Sequence, residues 1–214
     1  MDEASEMNIV LDLDGTLIDS KLRLYALFQR LTQTSNLSYS EYWALKQDKV
    51  SNQAILARNC GFDEFQIQQF MEEWMVLIEA PEFIEFDSNF PLIHNTLSLL
   101  KDHAELYVCT ARQHRHIALE QLDRLKLLPY FREVLVTEQR ATKEELIELH
   151  VPKRSKQDWI VGDTGKDIVC GKALGMKTCA VLSGFLSRVR LLEYRPDLVS
   201  GSLGEFQSKI LECQ

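Results

Sequence analysis

Cysteine is scarce in this chain of 214 residues, and its placement excludes a disulfide framework. The five cysteines are scattered, odd in number and never spaced as CxxC. Such a pattern is typical of reduced thiols in a cytoplasmic protein. The five histidines form neither an HxxxH nor an HExxH pattern, so the sequence offers no recognisable zinc site either.

Long apolar runs and basic tracts are also missing. No uninterrupted apolar stretch approaches the roughly 18–20 residues of a membrane-spanning helix, and the acidic N-terminus does not resemble a secretory signal. The formal net charge of −8 argues against general binding to nucleic acid or to anionic membranes. We therefore expect a cytoplasmic protein with neither of these partners, and no pattern indicates an oligomeric state.

Short apolar runs alternate with helical patterns along most of the chain. Several of the runs are rich in β-branched residues, which favours buried parallel strands. The runs lie at 9–13, 106–109, 134–137, 159–161, 178–182 and 197–200, and the later helices are predicted at 113–126, 143–149, 167–174 and 187–194. This alternation predicts an α/β fold with a doubly wound, Rossmann-like parallel sheet and right-handed crossovers.

One interval in this alternation is too long for a single crossover helix. More than 90 residues separate the first predicted strand from the second. Residues 19–86 show helical periodicity and almost no strand signal, and Pro81 ends the last of the helices predicted at 20–31, 40–47, 52–59 and 63–79. We predict a core domain of residues 1–18 and 87–214 and a small all-α cap of residues 19–86, inserted after the first strand.

Two aspartates, Asp12 and Asp14, follow the first predicted strand at its carboxyl end. Ligands bind at that edge of an open α/β sheet, and a spacing of two residues on an extended chain directs both carboxylates to the same side. Like charges so close require a cation such as Mg²⁺, or a proton on one of them. Gly15 permits a sharp turn and Thr16 offers a hydroxyl. Taken alone, DxDG is equally a calcium-type loop or a polar strand end.

A second acidic segment follows the strand predicted at 159–161. Asp163 comes at the same edge of the sheet, and Gly162 and Gly165 permit a tight loop. Asp167 opens the next helix, where a carboxylate interacts favourably with the helix dipole.

Residues 12–20, with the sequence DLDGTLIDS, resemble the first signature of the haloacid dehalogenase-like (HAD-like) hydrolases, in particular the branch similar to phosphoglycolate phosphatase. Counterparts of the other three signatures follow in the same order. They are Thr110 at the end of a predicted strand, Lys143 at the start of a helix, and the GDxxxD spacing from Asp163 to Asp167. The resemblance covers essentially the whole chain and implies a HAD-like core with a helical cap that closes over the sheet edge. Its hinges are expected near 17–20 and 85–89.

The resemblance implies a phosphatase that forms an aspartyl-phosphate on Asp12. Asp14 would protonate the leaving oxygen and then activate water, a role that dehalogenases do not need. Thr110 would hydrogen-bond the phosphoryl group, and Lys143 would neutralise the phosphate and the nucleophile. Thr16 is expected near the substrate.

A magnesium cofactor is implied by the same resemblance. The ligands would be Asp12, the backbone carbonyl of Asp14 and Asp163, all of them hard oxygens. Asp167 would orient metal-bound water or Lys143 rather than bind the ion directly.

Several of these assignments have competitors in the sequence. Lys143 lacks the proline that often follows this lysine in the family, and Lys153 and Lys156 are nearby alternatives. Arg112 is compatible with substrate binding and, equally, with a solvated helix start. Lys46, Lys49 and Asn52 lie in the stretch where relatives place substrate-contacting loops, but surface lysines are common.

The implied substrate is a small phosphorylated metabolite, with phosphoglycolate as the default. A phosphotransferase of the phosphoglucomutase type is an alternative, because it shares the same motifs. A non-catalytic phosphate- or metal-binding regulatory module is another, although all four signatures are chemically intact.

Overall fold

The computed structural model describes residues 7–33 and 35–212, and it confirms the predicted α/β fold. A sheet of parallel strands forms its centre. The strands of the described chain are β1 (Met7–Leu11), β2 (Ile18–Asp19), β3 (Ser88–Asn89), β4 (Ala104–Thr110), β5 (Glu133–Val136), β6 (Trp159–Gly162), β7 (Lys177–Val181) and β8 (Leu198–Ser200).

The helices fall into two groups, one between β2 and β3 and the other around the sheet. The first group is α1 (Lys21–Thr32), α2 (Tyr39–Gln47), α3 (Asn52–Ile55, continued by a π-turn at Leu56–Cys60), α4 (Glu64–Leu77) and α5 (Pro81–Ile84). The second is α6 (Ile93–Lys101), α7 (Arg115–Arg124), α8 (Lys143–His150), α9 (Gly165–Ala173), α10 (Arg188–Leu192) and α11 (Leu203–Glu212), with a 3₁₀ turn at Leu128–Tyr130.

The strand order explains where a site can form. The sheet runs β5-β4-β1-β6-β7-β8, so the chain winds outward from β1 to β4 and β5, then crosses back to β6, β7 and β8. β1 pairs in parallel with both β4 and β6. The direction of winding therefore reverses beside β1, and the loops after β1, β4 and β6 meet at the carboxyl edge. In doubly wound folds this crevice is the ligand-binding position.

The helices α1 to α5, which we call the helical segment, pack around an apolar cluster of their own. Its buried members include Phe28, Tyr42, Ile55 and Phe70, whereas the sheet packs against separate clusters that include Ile9, Leu11 and Val161. No helix in residues 7–33 or 35–212 is long and apolar enough to cross a membrane.

Two details differ from the sequence prediction. β2 and β3 pair antiparallel at the base of the helical segment; strands of two residues are too short to produce a periodic signal. The long helix α4 ends at Leu77, and Pro81 begins α5 instead of ending α4. Proline is favoured at the first position of a helix, because the N–H that it lacks would have no partner there.

The cysteines agree with the expectation of reduced thiols. Cys60, Cys109, Cys170 and Cys179 are free, and Cys213 lies outside the described residues. The cytoplasmic location stays a prediction.

Candidate active site

Three carboxylates meet at the carboxyl edge of the sheet. Asp12 follows β1, its N–H donating to Val161 O on the neighbouring β6 at 2.9 Å, and Asp163 follows β6 itself. Asp167 lies in the first turn of α9. Carboxylate oxygens of these three residues all lie within 4.8 Å of one another. The loops thus bring together the aspartates that the sequence motifs singled out.

Lys143 contacts two of these carboxylates. Its Nζ lies 2.5 Å from Asp12 Oδ1 and 2.6 Å from Asp167 Oδ1. Although burial lowers it, both aspartates hold the pKa of the Lys143 ammonium well above its usual value. The competing residues Lys153 and Lys156 are exposed.

The position of Lys143 runs against local helix preferences. It is the first residue of α8, whose N-terminus is capped by Thr142 and Glu145 in a capping box. A cation is unfavourable at the positive end of a helix, so the carboxylates stabilise it there. Conflicts of this kind mark functional sites.

One lysine does not offset three carboxylates. Burial raises the pKa of Asp12 to about 7. The charge of Lys143 partly opposes this rise, and the charge of Asp167 adds to it. Burial and then the charge of Asp12 raise the pKa of Asp163 well above its usual range. Asp163 Oδ1 is buried and has no hydrogen-bond partner among the described residues. A small divalent cation would supply the missing positive charge, and this set of hard oxygen donors fits Mg²⁺.

Two glycines make room for the Asp163 side chain. Gly15 has φ +84°, a conformation that favours glycine, and a Cβ on Gly15 or on Gly184 would overlap Asp163 Oδ2. The N–H of Phe185 donates to that same oxygen at 2.7 Å. From the sequence, Gly184 and Phe185 fit both a plain turn and, by resemblance, a loop that borders the active site in relatives; their contact with Asp163 depends on the tertiary fold.

For the phosphate monoester hydrolysis that the sequence resemblance implies, we expect Gly184→Ala to lower kcat/KM by about 10²-fold, since a displacement of Asp163 near 1 Å is enough for such a loss. Phosphate release measured at saturating Mg²⁺ tests this. The matched control is Gly204→Ala in α11, where an added Cβ would approach Thr96 Oγ1 only to 3.4 Å. Equal activities of the two variants would show that Gly184 does not position Asp163.

The Asp14 carboxylate is turned toward two arginines. Arg112 donates to it through Nε at 2.6 Å and through Nη2 at 2.8 Å, and Arg23 Nη2 forms a second ion pair with it. Burial raises the pKa of Asp14, but the two arginines outweigh this effect and hold that pKa well below its usual range. The cluster of carboxylates that could hold a metal ion does not include the Asp14 side chain; the contribution predicted for Asp14 is its backbone carbonyl.

A buried polar network continues behind Asp14. Asp87 Oδ1 lies 3.2 Å from Arg23 Nε, at ion-pair distance but without hydrogen-bond geometry. Its Oδ2 accepts from Gln121 at 2.6 Å and from Arg112 at 3.4 Å. Arg23 and Asp87 were missed in the sequence. A signal existed for Arg23, which shares the buried face of α1 with Leu27 and Phe28.

The remaining predicted residues lie at different depths. Thr110 ends β4, is 1% exposed and lines the cavity at the sheet edge. Lys49 also lines the cavity, with its Nζ 4.8 Å from the centre of the Tyr194 ring. Thr16 is buried but does not line the cavity, and its hydroxyl has no partner among the described residues.

The cavity has a volume of about 580 Å³ and lies between the sheet edge and the helical segment. Asp12, Lys143 and Asp163 line one side of it, and residues of α2 and α4 line the other. Trp43 of α2 stacks on Phe185 with 5.5 Å between the ring centres, so aromatic contacts join the two sides.

Comparison with known proteins identifies similar chains. A curated protein from Aquifex aeolicus (strain VF5), named phosphoglycolate phosphatase, is 26% identical over 201 residues, which cover 88% of this chain and 89% of that protein. Among solved structures, a haloacid dehalogenase-like family hydrolase from Streptococcus pneumoniae matches with a TM-score of 0.78 and 22% identity, covering 96% of this chain and 99% of that one.

A HAD-superfamily hydrolase of subfamily IA from Geobacter sulfurreducens PCA matches with a TM-score of 0.69 and 18% identity, covering 98% of this chain and 100% of that one. At these identities the solved structures show the fold. The family model described as haloacid dehalogenase-like hydrolase matches residues 9–181. Since that match spans most of the chain and includes the loops after β1, β4 and β6, this protein belongs to the haloacid dehalogenase-like hydrolase family.

Proposed function

We propose that the protein is a Mg²⁺-dependent phosphatase that hydrolyses a small phosphate monoester through an aspartyl-phosphate on Asp12. The observation that carries this proposal is the convergence of Asp12, Lys143 and Asp163 on one cavity. Asp167 adjoins them: it contacts Lys143, and one of its carboxylate oxygens lies within 4.8 Å of those of the other two aspartates. A nucleophilic carboxylate, a cation beside it and a set of hard oxygen ligands are the parts that phosphoryl transfer requires.

Each residue has a task that follows from its position. Asp12 Oδ2 is not bonded to Lys143, which contacts Oδ1, so one oxygen remains for attack on phosphorus. Lys143 offsets negative charge on the nucleophile and on the incoming phosphate. Thr110, at the end of β4, offers a hydroxyl to the phosphoryl oxygens. Mg²⁺, bound by Asp12 and Asp163, would reduce the repulsion between the phosphate and the carboxylates.

Asp14 is proposed as the acid that protonates the leaving oxygen and the base that then activates water. Both of its carboxylate oxygens are occupied by Arg23 and Arg112. Because these cations hold the pKa of Asp14 low, Asp14 must leave one of them and take up a proton before it can act as the acid. Since Arg23 belongs to α1, movement of the helical segment would change the contact between Arg23 and Asp14.

We further propose that residues 19–86 form a cap on a core of residues 1–18 and 87–214. The helical segment forms one wall of the cavity, where it would exclude water and select the substrate. A cavity of about 580 Å³ suits a small metabolite. Phosphoglycolate is the first candidate substrate, because a relative of similar length is named phosphoglycolate phosphatase.

The proposal is tested by phosphate release from a panel of phosphorylated metabolites and a generic aryl phosphate. We expect turnover with Mg²⁺ and none after chelation with EDTA. Transfer of the phosphoryl group between sugar phosphates without free phosphate would contradict the proposal, and so would a lack of turnover on every compound of the panel.

Removal of one metal ligand gives a separate prediction. Asp163→Asn takes a negative charge from the oxygen set, so the Mg²⁺ concentration for half-maximal activity should rise by roughly 10-fold or more. A Mg²⁺ titration of activity measures this. Asp102→Asn, at the exposed end of α6, should titrate like the unmodified protein. An unchanged midpoint in Asp163→Asn would argue against metal binding by Asp163.

A further inference from the structure

We propose that Lys46 binds a second anionic group of the substrate, a carboxylate or a further phosphate attached to the leaving group. This rests on the function proposed above and adds a side chain that determines specificity. Lys46 belongs to α2, in the helical segment that forms one wall of the cavity. Asp12 lies at the sheet edge, and both residues line the same cavity. A substrate with its phosphate at Asp12 would have its leaving group in the cavity that Lys46 also lines.

The surroundings of Lys46 are polar but uncharged. Its ammonium donates to Asn52 Oδ1 at 3.1 Å, and Tyr42 Oη donates to the same oxygen at 3.3 Å. Asn52 is 8% exposed and Tyr42 is fully buried, so Asn52 holds the ammonium from a fixed position. An ammonium has three donors, and this contact uses one of them.

The other buried cations of the cavity already have carboxylate partners. Arg23, Arg112 and Lys143 each contact two aspartates. Lys46 is half-buried and forms no ion pair with any residue of the described chain. Burial lowers its pKa to about 8. A partly buried charge without an ion-pair partner is costly, and an anion bound beside it would reduce that cost.

The acidic residue that the helical segment contributes to the cavity, Glu79, does not form an ion pair with Lys46. Glu79, which is 4% exposed, accepts from the backbone N–H of Gln113 at 2.6 Å and from that of His114 at 3.2 Å. Both of its oxygens are thus occupied by the loop after β4. The charge of Lys46 is left for a ligand, and the ligand chemistry that complements an ammonium is an anion.

The experiment compares substrates that differ only in the second anionic group. Phosphorylated ω-hydroxy acids of two, three and four carbons, phosphoglycolate being the shortest, are paired with alkyl phosphates of equal length and with the corresponding diol bisphosphates. We expect the protein to prefer one anionic series by at least about 10-fold in kcat/KM. Lys46→Met and Lys46→Gln should each lose roughly 10- to 100-fold on that series, mainly through KM, because hydrogen bonds to charged groups are worth about this factor.

The alkyl phosphates serve as the internal control, and both Lys46 variants should hydrolyse them within about twofold of the unmodified protein. Lys101→Met, at the end of α6 with its Nζ on Pro129 O, should behave like the unmodified protein on every compound. Preference for the acids identifies a carboxylate as the ligand, and preference for the bisphosphates identifies a phosphate.

Two results would overturn the proposal while leaving the phosphatase assignment intact. The first is an equal kcat/KM of the unmodified protein for the anionic substrates and the alkyl phosphates. The second is an equal loss of kcat/KM on both kinds of substrate in the Lys46 variants. If neither the series nor an aryl phosphate is hydrolysed, the phosphatase assignment fails and the role of Lys46 fails with it.

Discussion

Asp12→Asn should abolish phosphate release, with a loss in kcat on the order of 10⁴-fold or more, as expected when a nucleophile is removed. The neutral amide cannot attack phosphorus, and it cannot offer a charged oxygen to Mg²⁺. The measurement is release of phosphate from a generic aryl phosphate at saturating Mg²⁺, which does not depend on knowing the natural substrate.

The same substitution should not harm the fold. Burial and neighbouring carboxylates disfavour the charged form of Asp12, so in the absence of Mg²⁺ the thermal midpoint of Asp12→Asn should equal or exceed that of the unmodified protein. Asp123→Asn on the exposed face of α7 is the matched control, with activity and midpoint unchanged. Full activity in Asp12→Asn would refute the assignment of the nucleophile.

Arg23→Met should lower the free energy of unfolding by about 3–5 kcal/mol, because it leaves the buried acids Asp14 and Asp87 without one of their cations. Arg23 is 2% exposed and contacts both of them. Urea unfolding followed by circular dichroism measures the change. The matched control is Lys21→Met in the same helix, whose ion pair with Asp19 is 4.0 Å long and part-exposed, and which should change stability by less than about 1 kcal/mol.

A second variant distinguishes the ion pair from simple packing. If Arg23 acts through Asp87, then Arg23→Met should cost less in an Asp87→Asn background than in the unmodified protein, as residues in one network are not additive. Equal costs in the two backgrounds would assign the effect of Arg23 to packing alone.

The sheet and the positions of its acidic residues were predictable because each depends on short stretches of sequence. A buried parallel strand appears as an apolar run, and aspartates directly after it must lie at the sheet edge. Asp12 and Asp163 follow strands that proved to be neighbours, and Lys143 begins the predicted helix α8. The family match confirms the resemblance that ordered these motifs.

Contacts between distant segments could not be predicted in this way. Asp87 lies 64 residues after Arg23 in the chain (87 − 23), and neither neighbourhood indicates that the two side chains pair. The same holds for Glu79, which binds the backbone after β4. For Gly184 the sequence left a plain turn and a loop bordering the active site equally open, since the side chain that it makes room for belongs to another loop.

The pairing of β2 with β3 has a consequence for how this architecture varies. Ile18 lies opposite Asn89 and Asp19 opposite Ser88, so the chain leaves and re-enters the core at points only one strand spacing, about 5 Å, apart. A two-residue hairpin turn could close that gap as readily as five helices do. The pairing of β2 with β3 by itself therefore sets no requirement on the size or shape of what is inserted there. The contacts of Arg23 with Asp14 and Asp87, and of Glu79 with the loop after β4, are what tie these five helices to the sheet edge.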